Sequence, residues 1–235
     1  MKAIFLSDAH LRDPQDENYR QLIDLLKDQQ NLDALFLLGD IFEFWLGYRH
    51  LVFSAYVPLL EQLQRLADGG TRLFFVEGNH DFSLGPYFSD TLNCHIITEE
   101  ELICWDNRNI LLCHGDLVNP TPGYLRLRKF WRSRFINILT RILHPDLVWK
   151  LGLWLSEKSQ QRRPANKKYD PTLWLQDFAA TRVDDSCDLI ICGHFHFPVL
   201  LEENSRQIIA LGDWQTRRCY AELVDGLIVI KTYPG

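Results

Sequence analysis

Residues 3–10 read AIFLSDAH and residues 34–40 read ALFLLGD; in both, a short, continuous apolar run stops at an acidic residue. Such runs are too short for helices and lack the alternation of a half-exposed strand, so they read as strands buried on both faces. Residues 73–76, 110–113 and 189–192 repeat the arrangement, and each is followed by a polar cluster containing Gly and His. Between the first three runs, residues 19–26 and 55–66 carry helical spacing, the second closing at Gly69-Gly70. Strand, helix, strand, helix, strand is an α/β layout. Beyond Gly193 four strand-like runs follow, at 197–201, 207–211, 220–224 and 227–231, with Asp225-Gly226 between the last two. A terminal β-meander is expected there.

The polar clusters carry the chemistry. They are Asp8-Ala9-His10, Gly39-Asp40, Gly78-Asn79-His80-Asp81, His114-Gly115-Asp116 and Gly193-His194-Phe195-His196. Sheets of this class gather ligands beyond the carboxyl ends of their strands, where residues distant in sequence meet. In an extended segment residues two apart face the same way, so Asp8 with His10, and His194 with His196, read as two metal-holding pincers. Asp40 is the best carboxylate to bridge two cations. The glycines at 39, 78, 115 and 193 permit tight turns and close approach of backbone or ligand. Each cluster alone is ordinary turn chemistry; all five in order after successive strands are not.

Composition limits the alternatives. With 46% hydrophobic and 24% charged residues, the 235-residue chain has the makings of one soluble core. No apolar run approaches the roughly 20 residues needed to span a bilayer. Met1-Lys2 leads straight into the first strand without a cleavage pattern, so a cytosolic location is expected. Six cysteines without CxxC spacing read as reduced core thiols. Net charge is -6, yet residues 124–168 hold twelve Lys and Arg against Asp146 and Glu157. That segment suits an anionic partner, while the acidic remainder argues against general attraction to nucleic acid. Its apolar residues fall at helical intervals, so residues 120–181 are expected to form a helical insertion within a single domain spanning 1–235.

The five clusters resemble the signature of the calcineurin-like metallophosphoesterases. That resemblance implies a four-layered α/β fold, a β-sandwich flanked by helices, with the insertion as a cap. It also implies two divalent ions, one on Asp8, His10 and His196 and the other on Asn79, His114 and His194, with Asp40 shared. Oxygen and imidazole donors without thiolate suit Mn²⁺, the expected metal, or Fe²⁺ or Zn²⁺. Two such ions activate a water and neutralise phosphoryl charge. His80 is then expected to bind phosphate or protonate the leaving oxygen, with Asp81 fixing its tautomer.

Residues 5–11, 38–47, 78–82, 114–116 and 211–214 further resemble the bacterial UDP-2,3-diacylglucosamine pyrophosphate hydrolases, which release UMP and an acylated sugar 1-phosphate in lipid A synthesis. The resemblance implies an acylated nucleotide-sugar substrate and peripheral contact with the anionic inner membrane. The family commonly has Arg where this chain has His80. Contacts to substrate are expected from Asn79, His80, Tyr124, Arg128, Phe130, Trp131, Lys167 and His194. The insertion interleaves Leu125, Leu127, Phe135, Ile138, Leu139 and Ile142 with Arg126, Lys129, Arg132, Arg134 and Arg141, a pattern fit for acyl chains and phosphate, or for a bilayer. A helix packed on the domain with a solvated basic face has the same pattern. Two other readings remain: hydrolysis of a different nucleotide, phosphodiester or lipid-headgroup diphosphate by the same metals, and a metal-free interaction scaffold.

Overall fold

The computed structural model describes residues 1–161, 170–203 and 206–234. Two sheets stack face to face. The first orders its strands β11 (Leu227–Thr232), β10 (Cys219–Val224), β1 (Lys2–Leu6), β2 (Ala34–Leu37), β3 (Arg72–Val76) and β4 (His95–Ile97). The second runs β5 (Glu100–Trp105), β6 (Arg108–Cys113), β7 (Leu189–Cys192), β9 (Arg206–Ala210) and β8 (Val199–Glu203).

The continuous apolar strands divide their side chains between two cores. Ala3 and Phe5 of β1 face the second sheet, where they meet Ile110, Leu112, Ile191 and Ile209. Ile4 and Leu6 face the other way, into a core shared with helices α1 (Glu17–Lys27) and α2 (Val57–Asp68). Burying each such side chain contributes about 1.5–3 kcal/mol. Parallel register aligns Phe5, Phe36 and Phe74 across β1, β2 and β3. Successive rings stack at 4.5 Å, and Trp105 meets Phe36 edge-on from the second sheet. On the outer face of that sheet, Leu175, Phe178 and Ala179 of α6 (Thr172–Arg182) close a third core. The order helix, sheet, sheet, helix is the four-layered α/β sandwich expected.

The terminal strands form no single meander. β8 and β9 make an antiparallel hairpin in the second sheet, whereas β10 and β11 make another in the first. A short helix, α7 (Trp214–Arg217), carries the chain between them; Asp213 caps it by accepting from the Thr216 and Arg217 amides. β1, β2 and β3 run parallel, as do β6 and β7, so the segments following their carboxyl ends gather along one edge of the sandwich.

Over that edge lie α3 (Pro122–Trp131), α4 (Arg134–Ile142) and α5 (Pro145–Gln161). Thr121 and Ser133 cap α3 and α4 by accepting from the Tyr124 and Ile136 amides. α3 has no buried residue, and α4 buries Ile136 alone. α5 docks more deeply. Val148, Gly152 and Ser156 are buried at four-residue spacing, Trp149 packs 4.5 Å from the Phe53 ring, and Gly152 lies flat on the Phe44 ring, where a Cβ would stand 2.6 Å from carbon. α6, the last helix of the insertion, belongs instead to the outer layer.

Candidate metal centre

Asp8, His10, Asp40, Asn79, His114, His194 and His196 all come to the sandwich edge, in two adjoining groups. Asp8, His10 and His196 form one, with ligand atoms within 4.8 Å of one another; Asp40, His114 and His194 form another within the same limit. Asn79 completes the second group, its Oδ1 3.2 Å from His114 Nε2.

Of the two pincers read from residue spacing, Asp8 with His10 closes on one group and His194 with His196 does not, and neither pair stands on extended chain. Asp8, His10, His194 and His196 have φ of 51°, 45°, 71° and 55°, so these segments are left-handed turns rather than extended chain. His194 and His196 consequently diverge, one to each group. Asp40 is also left-handed, at 52°. Asp and His tolerate that region better than most residues, yet each costs on the order of 1–3 kcal/mol, as is found where function fixes the backbone.

The two carboxylates at the centre are built alike. Asp40 Oδ1 accepts from the Asn79 and His80 amides at 2.8 and 2.9 Å, which turns Oδ2 to a point 3.5 Å from His114 Nε2 and 3.9 Å from His10 Nε2. Asp8 Oδ2 accepts from the His194 amide at 2.8 Å and points Oδ1 at His196 Nε2, 3.5 Å away. Asp8 Oδ1, Asp40 Oδ2, His10 Nε2 and His194 Nδ1 are buried with no hydrogen bond among the described residues. Buried polar atoms are rarely left so. Acceptor atoms converging without donors between them fit divalent cations, and Asp40 lies where one carboxylate serves both groups. Only Gly fits at two of the crossings: a Cβ on Gly78 would collide with Asp40 Oδ1, and one on Gly193 would stand 2.6 Å from Asp8 Oδ2.

Surrounding groups orient the imidazoles. The Leu38 carbonyl lies 2.8 Å from His114 Nδ1 and the Glu43 carbonyl 2.9 Å from His80 Nδ1. A carbonyl can only accept, so each Nδ1 carries the hydrogen and Nε2 turns inward. His80 thereby joins His10 and Asp40 in a third set within 4.8 Å. Glu43 Oε2 is 3.5 Å from His10 Nδ1 and Asp213 Oδ2 is 3.8 Å from His196 Nδ1, the carboxylate–histidine support usual behind metal ligands. Neither Glu43 nor Asp213 was singled out in the sequence, although both stand inside the conspicuous GDIFE and LGDW strings.

Asp81 is a correction. Its side chain makes no hydrogen bond to the His80 ring among the described residues; the buried carboxylate accepts from the amides of Asp40, Ile41, Phe42 and Gly78 at 3.0, 2.8, 3.4 and 2.9 Å. It pins the Asp40 loop to the Gly78 loop. Burial and the charge of Asp40 push its carboxyl up to about 6, against the pull of the amides.

Charge follows the geometry. Burial raises the cost of ionising Asp40, but His114, His80 and His10 outweigh it and hold the carboxyl well below its ordinary value. Burial likewise opposes protonation of His114, and the charge of Asp40 overcomes it. His194, buried and beside His114, is lowered to about 4 and stays neutral.

A cavity of about 720 Å³ opens from Asn79, His80 and His194 beneath α3 and α5. Phe44, Phe82, Leu127, Trp131, Trp154 and Leu155 line its apolar part. Tyr124 and Arg128 also line it: Tyr124 donates to Asp116 Oδ2 at 2.5 Å and Arg128 Nε to the same oxygen at 3.1 Å. Arg132 reaches further, donating to Glu77 at 2.6 Å and to the Gly78 carbonyl at 3.1 Å. Phe130 is not part of this wall; it is 49% exposed, on the outward side of α3. Lys167 lies outside the described residues.

This is the chemistry of metal-dependent phosphoesterases, and a model of the calcineurin-like phosphoesterase family matches residues 1–198. The chain belongs to that family. It is 31% identical over 225 residues to a UDP-2,3-diacylglucosamine hydrolase of Nitrosococcus oceani, covering 91% of this chain and 88% of that one. A UDP-2,3-diacylglucosamine hydrolase of Pseudomonas putida is 29% identical over 234 residues, 94% of each chain. Among solved structures, an archaeal phosphodiesterase superposes with a TM-score of 0.51 at 14% identity, over 98% of this chain and 99% of that one, and so shares the fold.

Proposed function

We propose that the chain hydrolyses the diphosphate of UDP-2,3-diacylglucosamine, giving UMP and 2,3-diacylglucosamine 1-phosphate. The observation that carries this reading is the continuity of the large cavity, which runs from the metal-ligand groups to a wall of Phe, Leu and Trp beneath the cap. A soluble nucleotide has no use for that wall, whereas acyl chains gain about 0.8 kcal/mol per buried CH₂. The names of the relatives support the same substrate.

Two divalent ions, Mn²⁺ in this proposal, bound by Asp8, His10, Asp40, Asn79, His114, His194 and His196, would supply an activated water and charge neutralisation at the phosphoryl group. The protein's own groups do the rest. His80, held by the Glu43 carbonyl, presents Nε2 beside Asp40 and His10, where it contacts a phosphoryl oxygen or protonates the departing one. Tyr124 and Arg128 are braced by Asp116, and Arg128 Nη2 is buried with no hydrogen bond among the described residues, a donor left over for an anionic substrate oxygen. Leu127 and Trp131 border the acyl region; Phe130 of α3 and Phe135, Ile138, Leu139 and Ile142 of α4 are exposed apolar side chains, with exposed Arg134 and Arg141 on α4 as well. That surface suits an anionic bilayer holding the substrate, with the protein peripheral on its cytoplasmic side. No helix among the described residues is long and apolar enough to cross a membrane.

The test is a side-by-side assay of the metal-loaded protein on UDP-2,3-diacylglucosamine, its deacylated counterpart and other diphosphates, with products identified by mass. UMP release that depends strongly on the acyl chains is expected. Equal turnover of the deacylated compound defeats the substrate assignment.

A further inference from the structure

A second, smaller cavity of about 150 Å³ opens beside His10, which does not line the large apolar-walled one. Its wall is polar throughout: His10, Arg12, Asp16, Asn18 and Gln215, with Glu43 and Glu157. Glu43 borders both cavities; His10, of one ligand group, lines the small one, and Asn79 and His194, of the other, line the large one. The roof is an ion pair between Arg12 of the main domain and Glu157 of α5, at 2.6 Å.

Asn18, Asp16 and Gln215 keep donors and acceptors in reserve. Asn18 uses Nδ2 on the Ala9 carbonyl, leaving Oδ1 without a hydrogen bond among the described residues. Asp16 spends one carboxylate oxygen on the Asp13 amide, at 3.3 Å, and gives its own helix no side-chain cap. The Gln215 amide makes no hydrogen bond among the described residues, while its backbone is anchored to the Asp8 carbonyl at 3.1 Å.

Charge selects among occupants. Asp16, Glu43 and Glu157 outnumber Arg12, so a second phosphate would be repelled, whereas a neutral group rich in hydroxyls is not. The volume equals that of roughly five waters at ~30 Å³ each, enough for a pentose but not a whole nucleoside. A diphosphate substrate extends from its scissile bond in two directions, and the acyl-lined cavity takes only one of them.

Resting on the diphosphate reading above, we propose that this polar cavity is the ribose subsite, in which Asp16 and Gln215 bind the 2′,3′-diol of the nucleotide half. The diol donates to the Asp16 carboxylate and exchanges hydrogen bonds with the Gln215 amide. The base stays at the mouth, so the subsite recognises a ribonucleotide without choosing among bases.

The experiment is calorimetric titration of the metal-loaded full chain with UMP, 2′,3′-dideoxy-UMP, CMP and inorganic phosphate. UMP and CMP should bind alike, and about tenfold more tightly than the dideoxy compound, the worth of one or two net hydrogen bonds. Gln215→Leu and Asp16→Ala should each erase most of that margin while leaving phosphate affinity within about twofold, at unchanged melting temperature. Equal affinity for UMP and its dideoxy analogue overturns the subsite, as does a margin that survives in both variants. Hydrolysis of UDP-2,3-diacylglucosamine is measured on the same preparation. Turnover without a diol margin removes the subsite and keeps the substrate; a diol margin without turnover does the reverse.

Discussion

Replacing Asp81 by Ala should unfold the metal centre rather than slow its chemistry. The carboxylate accepts three well-formed amide hydrogen bonds, from Asp40, Ile41 and Gly78, and a longer one from Phe42, all in a site closed to solvent. A buried donor left unpaired costs about 1–3 kcal/mol, so losing the three strong bonds sets a scale of about 3 kcal/mol even at the low end. A water admitted to the vacated space accepts two bonds at most, which leaves one strong donor stranded. For a chain of this length each kcal/mol lowers the melting temperature by about 2–4 °C, so a fall on the order of 6–12 °C is expected. Asp81→Asn, which keeps one acceptor but turns an amide group toward the other donors, should fall between. Calorimetry with metal analysis is the assay. Both variants should lose bound metal along with stability, because the strands of chain that Asp81 ties together carry Asp40 and Asn79. An Asp81→Ala protein that melts within 2 °C of the parent (~0.5–1 kcal/mol), keeps both metals and loses only chemical rate would refute this and restore the tautomer role.

Asp40→Ala should lower metal content and turnover more than His10→Ala, since Asp40 Oδ2 faces both groups; metal analysis with single-turnover kinetics checks the order. Leu127→Gln and Trp131→Gln should impair hydrolysis of a diacylated substrate far more than that of a small soluble diester, with a margin of about 1 kcal/mol or more for each apolar side chain replaced, read from the ratio of kcat/KM values. In metal-free protein His194 is lowered to about 4 by burial and by His114, while an unfolded imidazole protonates near 6.5. The unfolded chain therefore binds the extra proton in between, so the stability from this group is complete above about 6.5 and lost as pH falls toward 4. The melting-temperature difference between the parent and His194→Gln should shrink over that window; a difference that grows on acidification contradicts the neutral assignment.

β1, β2 and β3 were legible because both of their faces are buried, so Ala3 to Leu6 form an unbroken apolar run whichever core each residue enters. β5 was not: at the sheet edge it alternates exposed Glu100, Leu102 and Cys104 with half-buried Glu101 and Ile103 and buried Trp105, and its two glutamates hide the pattern. The last four strands were found, but adjacency in sequence says nothing about which of two stacked sheets a hairpin joins. At the site, residue type and order picked out the side chains that converge in the two groups, while the left-handed backbone that separates His194 from His196 has no signature beyond the tolerance of His for it. The supports Glu43 and Asp213 depend on distances between strand ends, which spacing along the chain does not encode.

Arg132 grips the loop that precedes Asn79, Arg128 and Tyr124 grip Asp116 two residues past His114, and Ser156 hydrogen-bonds the Glu43 carboxylate that supports His10. Each root of the insertion thus ends within three residues of a candidate metal-ligand position. For protein engineering, the segment from α3 to α5 cannot be treated as an interchangeable module. A chimera that grafts another relative's insertion here must carry matched residues at 77, 116 and 43, or it is expected to change metal affinity before it changes which substrate is taken.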